Sequence, residues 1–172
     1  MNLDFQRILC PVDMSEFSLE ALRLAVQLAE CSDATLDILH VIHNPFDQLY
    51  VTAIAETGPA LIDDYDLEPQ RRAKILRATE ERTEALLKHF CHDTVRNHEK
   101  VRYHVRNGDP FEGILDGAED FMTDLIVLAT HGRTGIKRLV IGSVAEKVVR
   151  HAPCPVLTVK PKAVWRAQEA AP

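Results

Sequence analysis

Metal and redox signatures are the first things missing from this chain. Cys10, Cys31, Cys91 and Cys154 are scattered, without a Cys-x-x-Cys pair or a Cys/His spacing suited to zinc, so they are expected to be reduced core or surface thiols. His-Glu-x-x-His is absent too, and His89 with His92, at helical i, i+3 spacing, has no third ligand in view and reads as part of a solvated face. Positive charge is short: 20 Lys and Arg against 26 Asp and Glu give a net charge of -6, which argues against general binding to nucleic acid or anionic membranes. The N-terminal MNLDFQRILC lacks a basic start and a long apolar run, and no apolar stretch approaches membrane-spanning length. A cytoplasmic protein without a membrane partner is the expectation. Two common phosphate-binding signatures are also missing, since there is no Gly-Lys-Ser or Gly-Lys-Thr and no GxGxxG after the first strand.

What the chain does have is a regular alternation of strand and helix patterns. With 172 residues and 46% hydrophobic content it is expected to form one domain over residues 1–160 with a sizeable core. Ile8, Leu9 and Val12 read as a buried strand whose end is marked by Pro11, because proline cannot donate to a central ladder. Ser15 and Ser18 are both N-cap candidates for a helix with Leu22, Ala25, Val26 and Ala29 on one face. Leu36, Ile38, Leu39, Val41 and Ile42 form a second strand and complete a β-α-β unit. Over residues 43–68 the periodicity fails, and this long loop reads either as a solvated excursion or as a lid or partner contact.

Pro69 suits the first turn of a long amphipathic helix with Leu76, Thr79, Thr83, Leu86, Leu87 and Phe90 at helical spacing. Val101, Tyr103 and Val105 alternate with Arg102, His104 and Arg106, as in an edge strand wet on one side. Gly108-Asp109-Pro110 then turns the chain into a helix that directs Ile114, Leu115, Ala118 and Phe121 at the sheet. Val156, Leu157, Thr158 and Val159 form the last strand, and residues 161–172 are expected to be a disordered tail, unless its Trp165 docks.

The most informative stretch is DLIVLATHGRTGIKRLVIGSVAEKVVR, residues 124–150. Leu125, Ile126, Val127 and Leu128 form a buried parallel strand, followed by a loop carrying Gly132, Gly135 and Gly142. Ser143-Val144-Ala145-Glu146 has capping-box spacing, and Val144, Val148 and His151 begin a helical face. A strand, a glycine loop and a helix N-terminus together suit an anion, and Arg133, Lys137 and Arg138 add positive charge. Five strands alternating with four helices specify a doubly wound α/β fold with a parallel sheet and helices on both faces. Ligands in such sheets bind beyond the strand C-termini where the strand order reverses, which brings Asp13 and the 129–143 loop to one crevice. Asp13 there can accept hydrogen bonds from ribose hydroxyls or help hold a phosphate-bound metal; equally, it can make an Asx turn before the first helix.

Ala129-Thr130-His131-Gly132, nine residues and then Gly142-Ser143 resembles the GxxG-x9-G[ST] signature of the ATP-binding branch of the universal stress protein family, with alanine at the first glycine. Ile8-Leu9-Cys10-Pro11-Val12-Asp13, with Ser15 and Ser18, is similar to that family's first strand and turn. The resemblance implies the strand order 3-2-1-4-5 and a homodimer through the last strand, Val156, Leu157, Thr158 and Val159. It implies an ATP site with Mg2+ carried by the phosphates and Asp13 as a candidate metal contact. Pro11, Val12, Asp13 and Val41 would belong to it, Pro11 and Val41 at the adenine pocket. Ala129, Thr130, His131, Gly132, Arg133, Thr134 and Gly135 would form the ribose and phosphate segment, joined by Gly142, Ser143, Val144 and Ala145 at the helix start. His131 either contacts phosphate or orders the loop, and a Ser143 hydroxyl committed to capping could not serve phosphate freely.

Three functions follow: a nucleotide-binding module of stress response or signalling, a slow ATPase or nucleotide-transfer enzyme, and a structural dimer with a vestigial pocket. No general base, HIGH-type adenylation motif or SGGxDS loop supports the enzyme, and Gly132, Gly142 and Ser143 count against a vestigial pocket. The binding module is the expectation, with at most very slow ATP hydrolysis.

Overall fold

Helical and strand periodicities turn into elements in the expected order within residues 5–43, 69–132 and 141–160, which the computed structural model describes. The order is β1 (Arg7–Pro11), α1 (Glu16–Ser32), β2 (Thr35–Ile42), α2 (Pro69–Val95), β3 (Val101–Asn107), α3 (Pro110–Asp120), β4 (Leu125–Ala129), α4 (Ser143–His151) and β5 (Val156–Val159). The five strands form one sheet in the order β3-β2-β1-β4-β5, and every neighbouring pair is parallel. Residues 44–68 and 161–172, with Phe46, Tyr50, Tyr65 and Trp165, lie outside the described residues.

The pleat sends alternate residues of each strand to opposite faces, and each face has its own core. Ile8, Cys10, Leu36, Ile38 and Val127 pack with α1 and α2, whereas Leu9, Leu39, Ile126 and Leu128 pack with α3 and α4. In α2 the buried stripe is Thr83, Leu87, Cys91 and Val95, four residues apart. Leu86, expected on this face, is 53% exposed, because it sits about 100° around the helix from Leu87. In α4 the buried pair is Ala145 and Val148, three apart, and His151 is exposed. Leu115 is only half-buried, and the inner surface of α3 is completed by Gly117, where an added Cβ would lie 3.0 Å from Leu39 Cδ2.

The thiols behave as expected of core and surface groups. Cys10 and Cys91 are buried, Cys31 is exposed and Cys154 is partly covered. Burial drives the Cys10 thiol far up and pushes Cys91 to about 12, so neither supplies thiolate at neutral pH.

One buried charge has no counterpart in the expected core. Asp37 in β2 is fully buried and accepts from Arg7 Nη2 at 2.9 Å and His104 Nε2 at 2.8 Å. Burial pushes its carboxyl up, but the hydrogen bonds from His104 and Arg7 outweigh that and hold it below the usual carboxylate range. His104 is stacked on Phe121 at 4.0 Å between ring centroids, so the network ties β1, β2 and edge strand β3 to the end of α3. Among the described residues no helix is long and apolar enough to cross a membrane.

Candidate functional site

The chain leaves β1 for α1 on one face of the sheet and β4 for α4 on the other, so the order reverses between these two neighbours. Their pairing is limited to Ile8 with Leu125 and Leu9 with Ile126, and the tips beyond flank a crevice at the C-terminal edge.

The tip of β1 is pinned from β2. Val12 N donates to Leu39 O at 2.8 Å, and His40 Nδ1 donates to Val12 O at 2.6 Å. Val12's side chain is 3% exposed and belongs to the core, so Val12 enters the site as scaffold for Asp13. His40, itself buried, was not singled out in the sequence. The signal was a polar residue on the same strand face as Leu36, Ile38 and Ile42.

Asp13 makes the Asx turn that was one of its two expected roles. Its Oδ1 accepts from Ser15 N at 3.0 Å and Ser15 Oγ at 2.6 Å, across Met14, whose φ of 61° reverses the chain. Ser15 then caps α1 by accepting from Ser18 N at 3.2 Å, and Ser18 uses its own hydroxyl to donate to Ser15 O at 2.8 Å. The turn does not take Asp13 out of the crevice. A Cβ on Gly132 would stand 2.5 Å from Asp13 Oδ2, so the carboxylate lies directly against the glycine backbone. Two residues from opposite sides of the crevice therefore touch, and only glycine permits it.

The loop after β4 is closed at its neck. Thr130 N donates to Val159 O at 3.0 Å, and Gly142 N donates to Thr130 O at 2.7 Å, joining the loop's two ends. Gly142 has an ordinary φ of -59°, but a Cβ there would lie 3.2 Å from Thr130 O, so close approach rather than dihedral freedom asks for glycine. Arg133, Thr134 and Gly135, with Lys137 and Arg138, lie outside the described residues.

The expected capping box at Ser143 is not formed. Gly142 is the N-cap of α4 and makes no side-chain cap bond, so Ser143 is the first residue inside the helix, exposed and past the position from which a hydroxyl reaches back to cap. The competition foreseen for its hydroxyl disappears, and the N-cap residue, a glycine, brings no side chain to the first helical N–H groups at Ser143, Val144 and Ala145. Ala145 is buried and Val144 packs against the core, so both can contribute to the crevice only through backbone.

Pro11 and Ala129 are the half-buried last residues of β1 and β4. Val41 packs its side chain against α3, where a Cβ on Gly113 would be 3.0 Å from Val41 Cγ2. Since Leu39 O points toward β1, Val41, two residues on, directs its backbone groups the same way, past the last β1 rung at Pro11. His89 and His92 remain on the solvated side of α2, and among the described residues no group of three or more His, Cys, Asp or Glu could hold a metal ion.

Comparison with known proteins adds relatives to this geometry. The family model described as the universal stress protein family matches residues 4–160. Universal stress protein MJ0531 of Methanocaldococcus jannaschii is 32% identical over 157 residues, covering 91% of this chain and 82% of the relative. Universal stress protein YxiE of Bacillus subtilis is 32% identical over 162 residues, covering 91% and 99%. Among solved structures, protein MJ0577 superposes with a TM-score of 0.69 at 25% identity, covering 93% of this chain and 99% of that one. A universal stress protein solved in complex with cAMP has the same fold, with a TM-score of 0.54 at 22% identity, covering 91% of this chain and 97% of that one.

Proposed function

The chain belongs to the universal stress protein family, and on that premise we propose that it binds ATP with Mg2+ in the crevice between β1 and β4 and acts in stress response or signalling as a nucleotide-bound homodimer. The observation that carries this reading is the contact between Asp13 Oδ2 and the Gly132 backbone. It sets a hydrogen-bond acceptor for ribose hydroxyls against the glycine-bearing loop that follows β4. The start of α4, with glycine as its N-cap, supplies N–H groups and the positive end of a helix dipole for phosphate. Val41's outward backbone groups suit the edge of an adenine base. Mg2+ would travel on the phosphates, with Asp13 the carboxylate of the crevice.

Turnover is expected to be far below the ordinary enzyme range of about 1 per second. Asp13 Oδ1 already accepts two hydrogen bonds from Ser15, so that oxygen is engaged and is not placed to orient an attacking water. The homodimer reading rests on β5, which pairs with β4 along one side and stands at the end of the strand order. A second copy across a two-fold axis would cover that edge.

Calorimetry with ATP and Mg2+, paired with thermal unfolding, tests the reading. Binding heat and a raised Tm are expected, because a ligand selective for the native state must stabilise it. No heat and no stabilisation at millimolar ATP would leave the vestigial-pocket alternative in place.

A further inference from the structure

The Thr130 side chain faces inward, 6% exposed, with its hydroxyl 2.9 Å from His131 Nδ1 and 3.4 Å from Val159 O. A hydroxyl has one proton to give, and the shorter contact takes it, since a bond at 3.4 Å is weak. Nδ1 is then the accepting nitrogen, and a neutral imidazole must carry its hydrogen on Nε2. That Nε2 is closed off from solvent and meets no hydrogen-bond partner among the described residues. A donor buried in this way is costly to leave unmade, and an anionic oxygen is the acceptor that repays it most. Phe17 stands edge-on to the ring at 6.5 Å between centroids. His131 also immediately precedes Gly132, so the ring leaves the backbone one residue from the Asp13 wall.

We propose that His131 Nε2–H donates to a phosphate oxygen of the bound nucleotide, and that Thr130 is its positioning residue, fixing the tautomer without touching the ligand. The proposal rests on the nucleotide reading above and adds to it a division of labour between two adjacent residues. With the other tautomer the hydroxyl proton would turn to Val159 O, and Nε2 would offer a lone pair that repels phosphate.

The test combines nitrogen-15 NMR of the histidine rings with calorimetric titration of ATP, adenosine and inorganic phosphate. Expected are an Nε2-protonated His131 in the wild type and an Nε2 resonance that moves with ATP but not with adenosine. His131→Ala should weaken ATP binding about tenfold or more, the worth of one charge-assisted hydrogen bond, and leave adenosine binding and the ligand-free Tm in place. Thr130→Val should weaken ATP in the same direction, and Thr130→Ser, which restores the hydroxyl, should recover it. An Nδ1-protonated ring in the wild type overturns the proposal, and that reading needs no variant to fold. So does unchanged ATP affinity in His131→Ala. A wild type that binds no ATP removes the nucleotide reading as well, whereas a wild type that binds while His131→Ala binds equally removes this proposal alone.

Discussion

Gly132 is the residue on which the crevice turns, because the Asp13 carboxylate occupies the space a side chain would need. Gly132→Ala puts a methyl 2.5 Å from Asp13 Oδ2, so the aspartate must leave its place or the loop must move. We expect ATP affinity to fall by about tenfold or more, roughly 1.4 kcal/mol per factor of ten, with little change in the ligand-free Tm. Calorimetry and thermal unfolding on the same variant check both halves. Asp13 and Gly132 could each be picked out in the sequence, one at the tip of an apolar run and one in a glycine-bearing loop. The expected strand order already brought them to one crevice, but their direct contact was not legible, because it depends on the path the backbone takes after β4. His40 and Asp37 were less legible still. A strand buried on both faces reads as apolar throughout, and Asp37's partners Arg7 and His104 lie 30 and 67 residues away. Nothing local announces that a buried carboxylate will be satisfied.

At the scale of elements, two helix starts illustrate what periodicity can and cannot decide. Ser15 and Ser143 both precede helical faces, and both looked like caps. Ser15 is one; Ser143 falls one position inside α4 and caps nothing. The pattern locates a helix start to within a residue or two, whereas a capping bond needs the one correct residue. Ser15→Ala should therefore cost about 1 kcal/mol in urea unfolding, the usual price of an N-cap. It should also weaken ATP binding, because it removes the hydroxyl that donates to Asp13 Oδ1 at 2.6 Å while the Ser15 backbone N–H remains. Ser143→Ala should leave ligand-free stability within about 0.5 kcal/mol, as for a surface substitution that breaks no such feature. Equal losses in the two variants would show that the caps had been misassigned. The positions of β1, β2, β4 and α1 followed from their apolar patterns, while the buried stripe of α2 shifted from Leu86 to Cys91 and Val95 because helix packing follows a row four residues apart.

For the molecule as a whole, the exposed flank of β5 and the charge buried under β2 make separate predictions. Leu157 is 37% exposed on a strand that, among the described residues, pairs on one side only. Leu157→Lys, placing a charge on that edge, should shift the protein from dimer to monomer in sedimentation at micromolar concentration. A wild type that is already monomeric, with or without ATP, would refute the dimer. Asp37 governs the acid limb. Because its folded pKa is depressed, its contribution is fully present above the unfolded value of about 3.9 and is lost as pH falls through the folded one. Asp37→Asn should destabilise the protein at neutral pH by about 3 to 5 kcal/mol, the cost of breaking a buried pair by removing one partner. Its stability should also fall less steeply than the wild type's below about pH 4. Urea unfolding over a pH series measures both.

The hydrogen bond from Gly142 N to Thr130 O also fastens together the two ends of the stretch between them. Through Thr130 they are fastened to β5 as well, before any residue of the stretch itself is considered. Closing a loop over longer spans adds only about 0.6 kcal/mol per doubling of length, so foreign stretches could be spliced in at that neck with the sheet bearing little of the change. Exchanges confined to the positions between Gly132 and Gly142 would leave Asp13, His131, Gly132 and the start of α4 as they are.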